Sequence, residues 1–524
     1  MKKFLYTFLI LSIAILWSSC RKDFVTVPSS GQLQFSKDTV FLDTVFTNIG
    51  SSTYNLKVYN RTDDDIRIPR IQLGEGENSR YRLNVDGLAG KIFEDVELLA
   101  NDSMFVFVET TIDINDFAGG TQFLYTDAIE FDSGSNEQKV ELVTLVQDAV
   151  FLYPQQFSDG TTETLLLGVD DEGTETRVEG FFLDDTELNW TNEKPYVVYG
   201  YAAVGQNKVL TIDAGARVHF HANSGLIVGN QGSLQVNGAL SSTEELENEV
   251  IFEGDRLEPG FADVPGQWGT IWLTNGSVNS EINYATIKNA TVGILSDKSD
   301  DPDNPMLRLN NSKIYNSATV GLLARTAHIE ANNSVFGNSG QASLYLNLGG
   351  KYTFRHCTFA NYWSNSFRVF PTVLIDNYID LGDGTELFED LVQADFSNCI
   401  IDGNNPIELL FDRAETNSAI ELNYNFKNSL IKFDDFQNRF TNNELYNFSN
   451  DTIFDEVDLV LNSNTIDFKN PENNEFIIGE SSVAIGFGDT PNTPQEIQFD
   501  ILGFARMMMS DVGAYNHTTF SDED

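Results

Sequence analysis

NNSKIYN at 310–316, NNSVFGN at 332–338 and RHCTFAN at 355–361 align with one another over seven positions. The same alignment includes NYATIKN at 283–289, SNCIIDG at 397–403 and KNSLIKF at 427–433. From each segment to the next the spacing is 27, 22, 23, 42 and 30 residues. Self-similarity at such a period is typical of a solenoid, in which each repeat forms one coil.

Three columns of this alignment predict how the coils stack. The second position holds Asn311, Asn333, His356, Asn398 and Asn428, with Tyr284 as the exception. The third position holds Ala285, Ser312, Ser334, Cys357, Cys399 and Ser429, and the fifth holds Ile287, Ile314, Phe336, Phe359, Ile401 and Ile431. Like residues on coils stacked at about 4.8 Å form an amide ladder at a bend, a column of small residues and an apolar core. The columns predict a right-handed parallel β-helix, and the 42-residue spacing predicts a loop inserted within 370–390.

Other segments of the same region resemble a known superfamily. GQWGTIWL at 266–273 and EVIFEGDRLE at 249–258, together with the repeats, resemble right-handed β-helix lipoproteins of the pectin-lyase-like superfamily found in Bacteroidota. SSVAIGFGD at 481–489, DILGFAR at 500–506 and DVGAY at 511–515 are similar to the closing segment of such proteins. The resemblance implies a β-helix over 191–480 and a closing segment over 481–524. It implies little about chemistry, because β-helices carry lyases, hydrolases, adhesins and spacers alike.

Short alternating strands with Gly and Asn-Asp turns predict an all-β sandwich over 35–148, before the β-helix. The stretch FSKDTVFLDTVFTNIGSSTYNLKVYN within it resembles the immunoglobulin-like domains of the Hydin and choice-of-anchor type. In that resemblance the domain is a spacer or docking module without catalytic residues. We expect 149–190 to be a transitional segment.

The first 20 residues have the plan of a secretory signal: two lysines, an apolar run and small residues before Cys20. They resemble a bacterial lipoprotein signal, which would be removed as 1–19 and leave lipid on Cys20; the alternative is an ordinary cleaved signal. A polar stretch over 20–34 predicts a tether, and Arg21-Lys22-Asp23 resembles the signals that send lipoproteins of Bacteroidota to the cell surface. We expect a protein anchored by lipid in the outer membrane and facing the cell exterior, with a periplasmic orientation left open.

The net charge of −46 excludes nucleic acid as a partner, because such binding requires Lys and Arg to neutralise phosphates. It also disfavours anionic polysaccharides unless a divalent cation intervenes. Cys20, Cys357 and Cys399 are the three cysteines, too few for a disulfide scaffold. The last two share a column, which leaves open whether they are bridged.

Candidate chemistry is sparse. Asp402, Asp412 and Asp434 could supply the paired carboxylates that a glycoside hydrolase needs. The Gly-His-Gly and Arg-Ile-Lys segments of polygalacturonases are missing, as is the basic cluster of a lyase. These absences favour a binding protein over an enzyme, without deciding the matter.

Two further groups are candidate binding sites. Trp268, Trp272 and Trp363 could form a platform that stacks on sugar rings. No cofactor is predicted, although one acidic loop could offer calcium its oxygen ligands through Asp297, Asp300, Asp301 and Asp303. We interpret the chain as a cell-envelope lipoprotein whose β-helix binds or presents a glycan or a surface protein. The alternatives are a polysaccharide lyase or glycoside hydrolase, and a structural adhesin or spacer.

Overall fold

The computed structural model describes residues 25–113, 115, 122–170, 173–382, 384–415, 417, 419–461, 465–489, 497–507 and 509–520. The lipid-attachment candidate Cys20 lies outside the described residues. The chain divides into two compact units, one running to Asp148 and the other beginning at Ala149. Within the described ranges the structure consists of strands and short 3₁₀ helices, and none of these helices is long and apolar enough to cross a membrane.

The first unit is a sandwich of two sheets. Its strands are β1 Val27–Pro28, β2 Gln34–Phe35, β3 Thr39–Phe46, β4 Tyr54–Tyr59, β5 Ile66–Leu73, β6 Tyr81–Val85, β7 Leu88–Gly90, β8 Ile92–Leu98, β9 Ser103–Thr110, β10 Gln122–Phe131 and β11 Gln138–Gln147. Its 3₁₀ helices are Gly76–Asn78 and Gly134–Asn136. One sheet has the order β1-β5-β10-β11-β3 with β8 also on β5, and the other has the order β2-β4-β9-β6-β7. Alternation buries one face of each strand, as in β9, whose Met104, Val106 and Val108 enter the core.

The sandwich also uses part of the predicted tether. Val27 pairs with Ile66 and Gln34 pairs with Tyr59, so that 27–28 and 34 belong to the two sheets. The prediction of a tether over 20–34 is therefore wrong for these positions, because their backbone groups satisfy sheet edges.

The second unit contains all remaining strands. The first are β12 Val150–Leu152, β13 Thr164–Val169, β14 Glu175–Phe182, β15 Asn189–Trp190, β16 Tyr196–Val198, β17 Tyr201–Val204, β18 Val209–Asp213, β19 Arg217–Phe220, β20 Gly225–Val228, β21 Ser233–Asn237, β22 Val250–Gly254, β23 Ile271–Leu273, β24 Ser280–Asn283 and β25 Ala285–Lys288. Next come β26 Val292–Ser296, β27 Leu307–Asn310, β28 Lys313–Tyr315, β29 Val320–Arg325, β30 His328–Asn332, β31 Val335–Phe336, β32 Ala342–Asn347, β33 Gly350–Arg355, β34 Thr358–Asn361, β35 Val373–Asp376 and β36 Tyr378–Asp380. The last are β37 Glu386–Phe388, β38 Leu391–Ser397, β39 Ile400–Gly403, β40 Leu409–Asp412, β41 Asn425–Lys427, β42 Leu430–Lys432, β43 Phe454–Asp455, β44 Asp458–Val460, β45 Phe468–Asn470, β46 Glu475–Ile478, β47 Gly488–Asp489 and β48 Met509–Ser510. Within the described part of this unit, 3₁₀ helices lie at Pro259–Phe261, Glu444–Tyr446 and Pro471–Asn473.

These strands form a parallel β-helix with three long sheets, as the repeat predicts. Sheet I has the order β12-β16-β19-β22-β25-β28-β31-β34-β39-β42-β44. Sheet II is β13-β14-β17-β20-β23-β26-β29-β32-β35-β40, and sheet III is β15-β18-β21-β24-β27-β30-β33-β38-β41-β43. Apart from the antiparallel pair β13–β14, neighbouring strands within each sheet are parallel, and each coil between β16 and β42 contributes one strand to each sheet. The fold is therefore all-β, with a sandwich followed by a parallel β-helix.

The asparagine column is the bend between sheet III and sheet I. All six members have left-handed backbone, with φ between 45° and 55°. They are Tyr284, Asn311, Asn333, His356, Asn398 and Asn428. Asparagine tolerates this conformation better than most residues with a side chain, which explains the column more directly than amide stacking does. Amide contacts add to it, since Asn333 Nδ2 donates to Asn311 Oδ1 at 3.3 Å.

The small-residue column hydrogen-bonds each coil to its neighbour. Ser312 Oγ donates to Asn310 O at 2.8 Å and accepts from Ala285 N of the preceding coil at 3.1 Å. Cys357 and Cys399 take the same place with free, fully buried thiols directed at backbone carbonyls. The fifth-position Ile and Phe side chains are all fully buried and fill the core.

The C-terminal residues pack on the outer face of sheet I. Val512 and Ile478 lie in one apolar cluster with Ile400 and Leu430 of sheet I, and Ala514 lies in another with Val335. Ala514 N donates to Thr358 Oγ1 at 3.0 Å, and Gly513 N donates to Asn398 O at 2.8 Å. The last residues thus cover coils formed more than a hundred positions earlier.

Two predicted boundaries of the β-helix are wrong. The segment 149–190 is the first coil, because β12, β14 and β15 already pair in parallel with β16, β17 and β18. Within the described ranges the parallel strands end at Val460 rather than near 480. The described residues from 465 onward belong to the outer cover instead.

Candidate functional site

A groove lies on the outer face of sheet II toward its C-terminal end. Its floor is a row of in-register side chains, Tyr345 on β32, Leu374 on β35 and Leu410 on β40. Because side chains alternate along a strand, these three point outward while their neighbours Leu344, Val373 and Leu409 fill the core. All three floor residues are half-buried.

Two loops build the walls of this groove. The loop 362–372, between β34 and β35, carries Phe367 and Phe370, which are 90% and 42% exposed. The segment 434–440, after β42, carries Phe436, which is 66% exposed, and Phe440. The cavity volume is about 690 Å³, and its lining is Tyr345, Phe367, Arg368, Val369, Phe370, Pro371, Leu374, Asp376, Asn405, Pro406, Ile407, Leu410, Phe411, Asp412, Asp434, Asp435, Phe436, Gln437, Arg439 and Phe440. We call it the phenylalanine groove.

A buried ion pair fixes the first wall. Arg368 and Glu408 are 4% and 0% exposed, and Arg368 Nη1 donates to Glu408 Oε2 at 2.8 Å. The guanidinium also donates to Phe370 O at 2.7 Å and to Asn361 O at 2.8 Å. Glu408 further accepts from Thr372 N at 2.8 Å and from Thr372 Oγ1 at 2.9 Å. The ion pair therefore holds both ends of the loop, Arg368 at Asn361 and Glu408 at Thr372, so that Phe367 is exposed in a defined place.

Two of the carboxylates in the groove lie on adjacent coils. Asp376 and Asp412 are register partners at the ends of β35 and β40, so their Cα atoms are separated by about one strand spacing of 4.8 Å. Asp376 accepts from Tyr345 Oη at 2.6 Å, from Leu348 N at 2.7 Å and from Asn347 Nδ2 at 2.9 Å. Burial raises the pKa of Asp376, and the neighbouring Asp412 raises it further. Asp412 is exposed and accepts from Tyr378 Oη at 3.0 Å.

The other wall adds two more acidic residues. Asp435 accepts from Arg439 N and from Phe440 N, each at 2.8 Å, and so holds the turn that presents Phe436. Asp434 is half-buried beside it. Four carboxylates thus line the groove. Arg439 is the basic residue opposed to them, since the charge of Arg368 is neutralised by Glu408. The local charge is negative.

The structure divides the three predicted catalytic residues. Asp412 and Asp434 line the groove, whereas Asp402 lies on β39 of sheet I, fully buried, with Oδ2 accepting from Tyr362 Oη at 2.7 Å. Burial raises the pKa of Asp402 to about 7. The prediction of one group formed by all three is wrong, because β39 and β40 belong to different sheets.

The predicted tryptophan platform does not form. Trp268 is 1% exposed and stacks on Phe220 in the core with ring centroids 4.4 Å apart. Trp363 is 7% exposed, and its Nε1 donates to Ser366 Oγ at 2.9 Å. Trp272 points outward from β23, but its Nε1 donates to Asp297 Oδ2 at 2.7 Å. Only Trp272 keeps a partly accessible ring.

The acidic loop does not gather its carboxylates for calcium. Asp297 is bound to Arg325 and Trp272, and Asp301 accepts from Asp303 N at 2.8 Å and from Asn304 N at 3.0 Å. In the described part of the chain, no three side chains of His, Cys, Asp or Glu come together to hold a metal ion. The carboxylate of Asp297 thus belongs to an ion pair and that of Asp301 to a turn.

Sequence reasoning missed most of the groove. Asp376 and the wall residues Phe367, Phe370 and Phe436 follow no repeat, since they lie at a strand end and in loops. The 42-residue spacing was the one signal that pointed to this coil. A hairpin, β36 with β37, and the loop 362–372 account for the additional residues.

Neither a protein-family model nor a curated protein sequence matches the chain. Among solved structures it is similar to the catalytic unit of a thermostable GH87 alpha-1,3-glucanase from Streptomyces thermodiastaticus, with 10% identity over 72% of this chain and 79% of the glucanase, at a TM-score of 0.23. The periplasmic chaperone SfaE is 13% identical over 22% of this chain, at a TM-score of 0.15, and the match spans 57% of the chaperone. The PapD-like domain 7 of human CEP192 is 12% identical, with coverage of 25% and 94% and a TM-score of 0.15. Likenesses at these TM-scores establish neither fold nor function, and the fold is assigned from the strand pairing.

Proposed function

We propose that the protein is a lipid-anchored protein of the cell envelope whose phenylalanine groove binds a neutral glycan. The observation that carries the proposal is the composition of the groove: an apolar floor, exposed phenylalanine rings and carboxylate acceptors around one cavity of about 690 Å³. Sugar rings present apolar C–H faces to aromatic and aliphatic surfaces, and their hydroxyls donate to carboxylates. The groove offers both kinds of contact.

Charge supports a neutral ligand over a uronate. The lining contains four carboxylates, those of Asp376, Asp412, Asp434 and Asp435. Its two arginines are Arg368, which is paired with Glu408, and Arg439, and the chain as a whole has a net charge of −46. A polyanion entering this field would be repelled. We expect neutral polysaccharides to be retained and uronic ones to be excluded.

The test is retention of the chain from residue 21 onward on a panel of neutral and uronic polysaccharides, with and without calcium, while chain cleavage is recorded. The double variant Phe367→Ala/Phe436→Ala should bind the retained polysaccharide at least tenfold more weakly, because each ring contributes about 1 kcal/mol. Phe182→Ala is the matched control, since Phe182 is 62% exposed on β14 and distant in the fold from this coil. An equal loss of affinity in the control, or no loss of affinity in the double variant, would show that the glycan does not bind in the groove.

A second candidate function is glycoside hydrolysis, favoured by one observation. Asp412 is an exposed carboxylate whose register partner Asp376 has a raised pKa, and two neighbouring carboxyls are what acid and base or nucleophile roles require. Against it, both oxygens of Asp376 already accept hydrogen bonds. Release of oligosaccharides that Asp412→Asn abolishes would establish the hydrolase. Retention of a glycan without release of oligosaccharides supports the receptor. If the chain neither retains nor cleaves a glycan, the adhesin or spacer is the remaining function.

Lipid attachment is tested separately. Cells expressing the full chain should incorporate labelled palmitate into the protein, and Cys20→Ala should abolish the label. Protease added to intact cells should then degrade the body if it faces the exterior. A protein released unlabelled into the medium would contradict the anchor and leave the groove proposal unaffected.

A further inference from the structure

A small cavity of about 260 Å³ lies in the C-terminal cover, away from the phenylalanine groove. Met507, Met509 and His517 line it together with Phe504, Asp511 and Thr518. Its lining combines two thioethers and an imidazole, a set of donors that neither the sandwich nor the coils share.

The two methionines are unusually accessible. Three of the six methionines in the chain are consecutive, at 507–509. Met507 and Met509 are 76% and 71% exposed, whereas Met104 and Met306 are 6% and 2% exposed. Both side chains are therefore largely accessible from solvent, unlike the two buried methionines.

His517 is oriented toward this cavity by a carboxylate. Its Nδ1 lies 2.7 Å from Asp511 Oδ2, which also accepts from His517 N at 2.8 Å. Asp511 Oδ1 accepts from Gly486 N at 3.0 Å, so the carboxylate itself is fixed. In the neutral tautomer whose Nδ1–H donates to this carboxylate, Nε2 has the lone pair that a metal ion needs. Histidines that bind metals are held in this way, by a carboxylate on the other ring nitrogen.

We propose that Met507, Met509 and His517 form a binding site for a soft monovalent metal ion, Cu(I) or its analogue Ag(I). Thioether sulfur selects such ions over hard or borderline divalent cations, and a neutral imidazole completes a three-coordinate site. A divalent ion such as Zn(II) would find His517 and Asp511 only, since among the described residues no third carboxylate, thiolate or imidazole joins them. The negative charge of the protein raises the local concentration of any cation.

The experiment titrates the purified full chain, with Cys20→Ser as background to remove its thiol, with Ag(I) and with ascorbate-reduced Cu(I). Competition against a Cu(I) chelator gives the affinity, and the ε-methyl resonances of the methionines report which side chains are involved. We expect one equivalent of ion and shifts of the Met507 and Met509 methyls. The double variant Met507→Leu/Met509→Leu should bind at least tenfold more weakly, with unchanged circular dichroism.

Met306→Leu is the matched control, because it removes a buried thioether in an exchange that conserves volume. It should leave ion binding and the two methyl shifts unchanged. His517→Gln should weaken binding while the methionine methyls still respond at higher ion concentration. Binding that the double variant leaves intact, or Zn(II) bound in preference to Ag(I), would overturn the proposal.

Discussion

Asn311, Asn333 and Asn398 stand at the bend of successive coils because their backbone is left-handed there, with φ of 49°, 48° and 55°. The side chain hydrogen-bonds to the neighbouring coil, yet the backbone sets the residue type first. His356, of a type that is also enriched at positive φ, has φ of 50°, whereas Tyr284 adopts φ of 45° without that advantage. The asparagines therefore recur in the sequence because the backbone conformation recurs at each bend.

Substitutions of Asn311 test which effect dominates. Asn311→Gly should lower the denaturant midpoint slightly, since glycine adopts the left-handed region and loses only the amide contact with Asn333. Asn311→Val should cost a further ~1–2 kcal/mol, because a β-branched residue resists positive φ. Urea unfolding followed by circular dichroism measures both. Equal midpoints for the two variants would mean that the amide, and not the backbone, determines the column.

Asp402 predicts a specific dependence of stability on pH. Its pKa is raised from 3.8 to about 7 by burial, so the folded state holds its proton more tightly than the unfolded chain does. The stability conferred by the protonated form is full below about pH 4 and is lost as pH rises toward 7. Three pKa units correspond to about 4 kcal/mol of unfolding free energy.

Asp402→Asn should therefore be more stable than the parent at pH 8 and similar to it at pH 4. Thermal unfolding at both pH values gives the comparison, with Tyr362, Lys432 and Glu408 as the ionisable neighbours that remain unchanged. An identical pH profile for both proteins would show that Asp402 is ionised in the folded state.

Among the elements, the loop 362–372 depends most on a single pair of side chains. Arg368 and Glu408 bind each other and both ends of the loop while fully removed from water. Such a pair need not stabilise the fold more than apolar residues would, but removing one partner leaves an uncompensated buried charge. The wall of the phenylalanine groove is therefore held in place by the ion pair, and the fold is sensitive to the loss of either partner.

Glu408→Gln should destabilise the second unit by about 3–5 kcal/mol and abolish glycan retention, because the buried guanidinium loses its counter-charge. Glu444→Gln is the matched control: its pair with Arg413, at 3.2 Å, is exposed and should contribute less than about 1 kcal/mol. Unfolding midpoints and retention are measured on both variants. Similar small effects in the two would show that Arg368 can reach solvent.

For the whole molecule, the sequence predicted the elements that repeat along the chain and missed the loops and strand ends that do not. The alternating sandwich strands and the Asn, small and Ile/Phe columns were sufficient for the two architectures. The first coil was missed because β12, β14 and β15 lack the asparagine bend and its columns. In the groove, Asp412 and Asp434 were named from their position near the coils, whereas Asp376 and the phenylalanines come together only through strand register and loops.

The C-terminal cover offers a test at the same scale. A chain ending at 464 should keep the strand signal of the β-helix but expose Val335, Ala360, Ile400 and Leu430, which are now buried under the cover. Such an apolar stripe favours association. We expect the shortened chain to bind a hydrophobic dye and to elute as aggregates in gel filtration. A monodisperse, dye-negative product would mean that the stripe is protected by other means.

The loop 362–372 leaves the solenoid between two coils that remain in register across it, with Phe354 opposite Phe396 and Phe359 opposite Ile401. Each coil stacks on its immediate neighbours through strand pairing, and the loop 362–372 contributes no strand to the three sheets. The exposed rings Phe367 and Phe370 thus lie outside the stacked strands, whereas the floor of the phenylalanine groove belongs to them. A graft that replaces the exposed rings must therefore keep Arg368, because Glu408 would otherwise be buried without its partner.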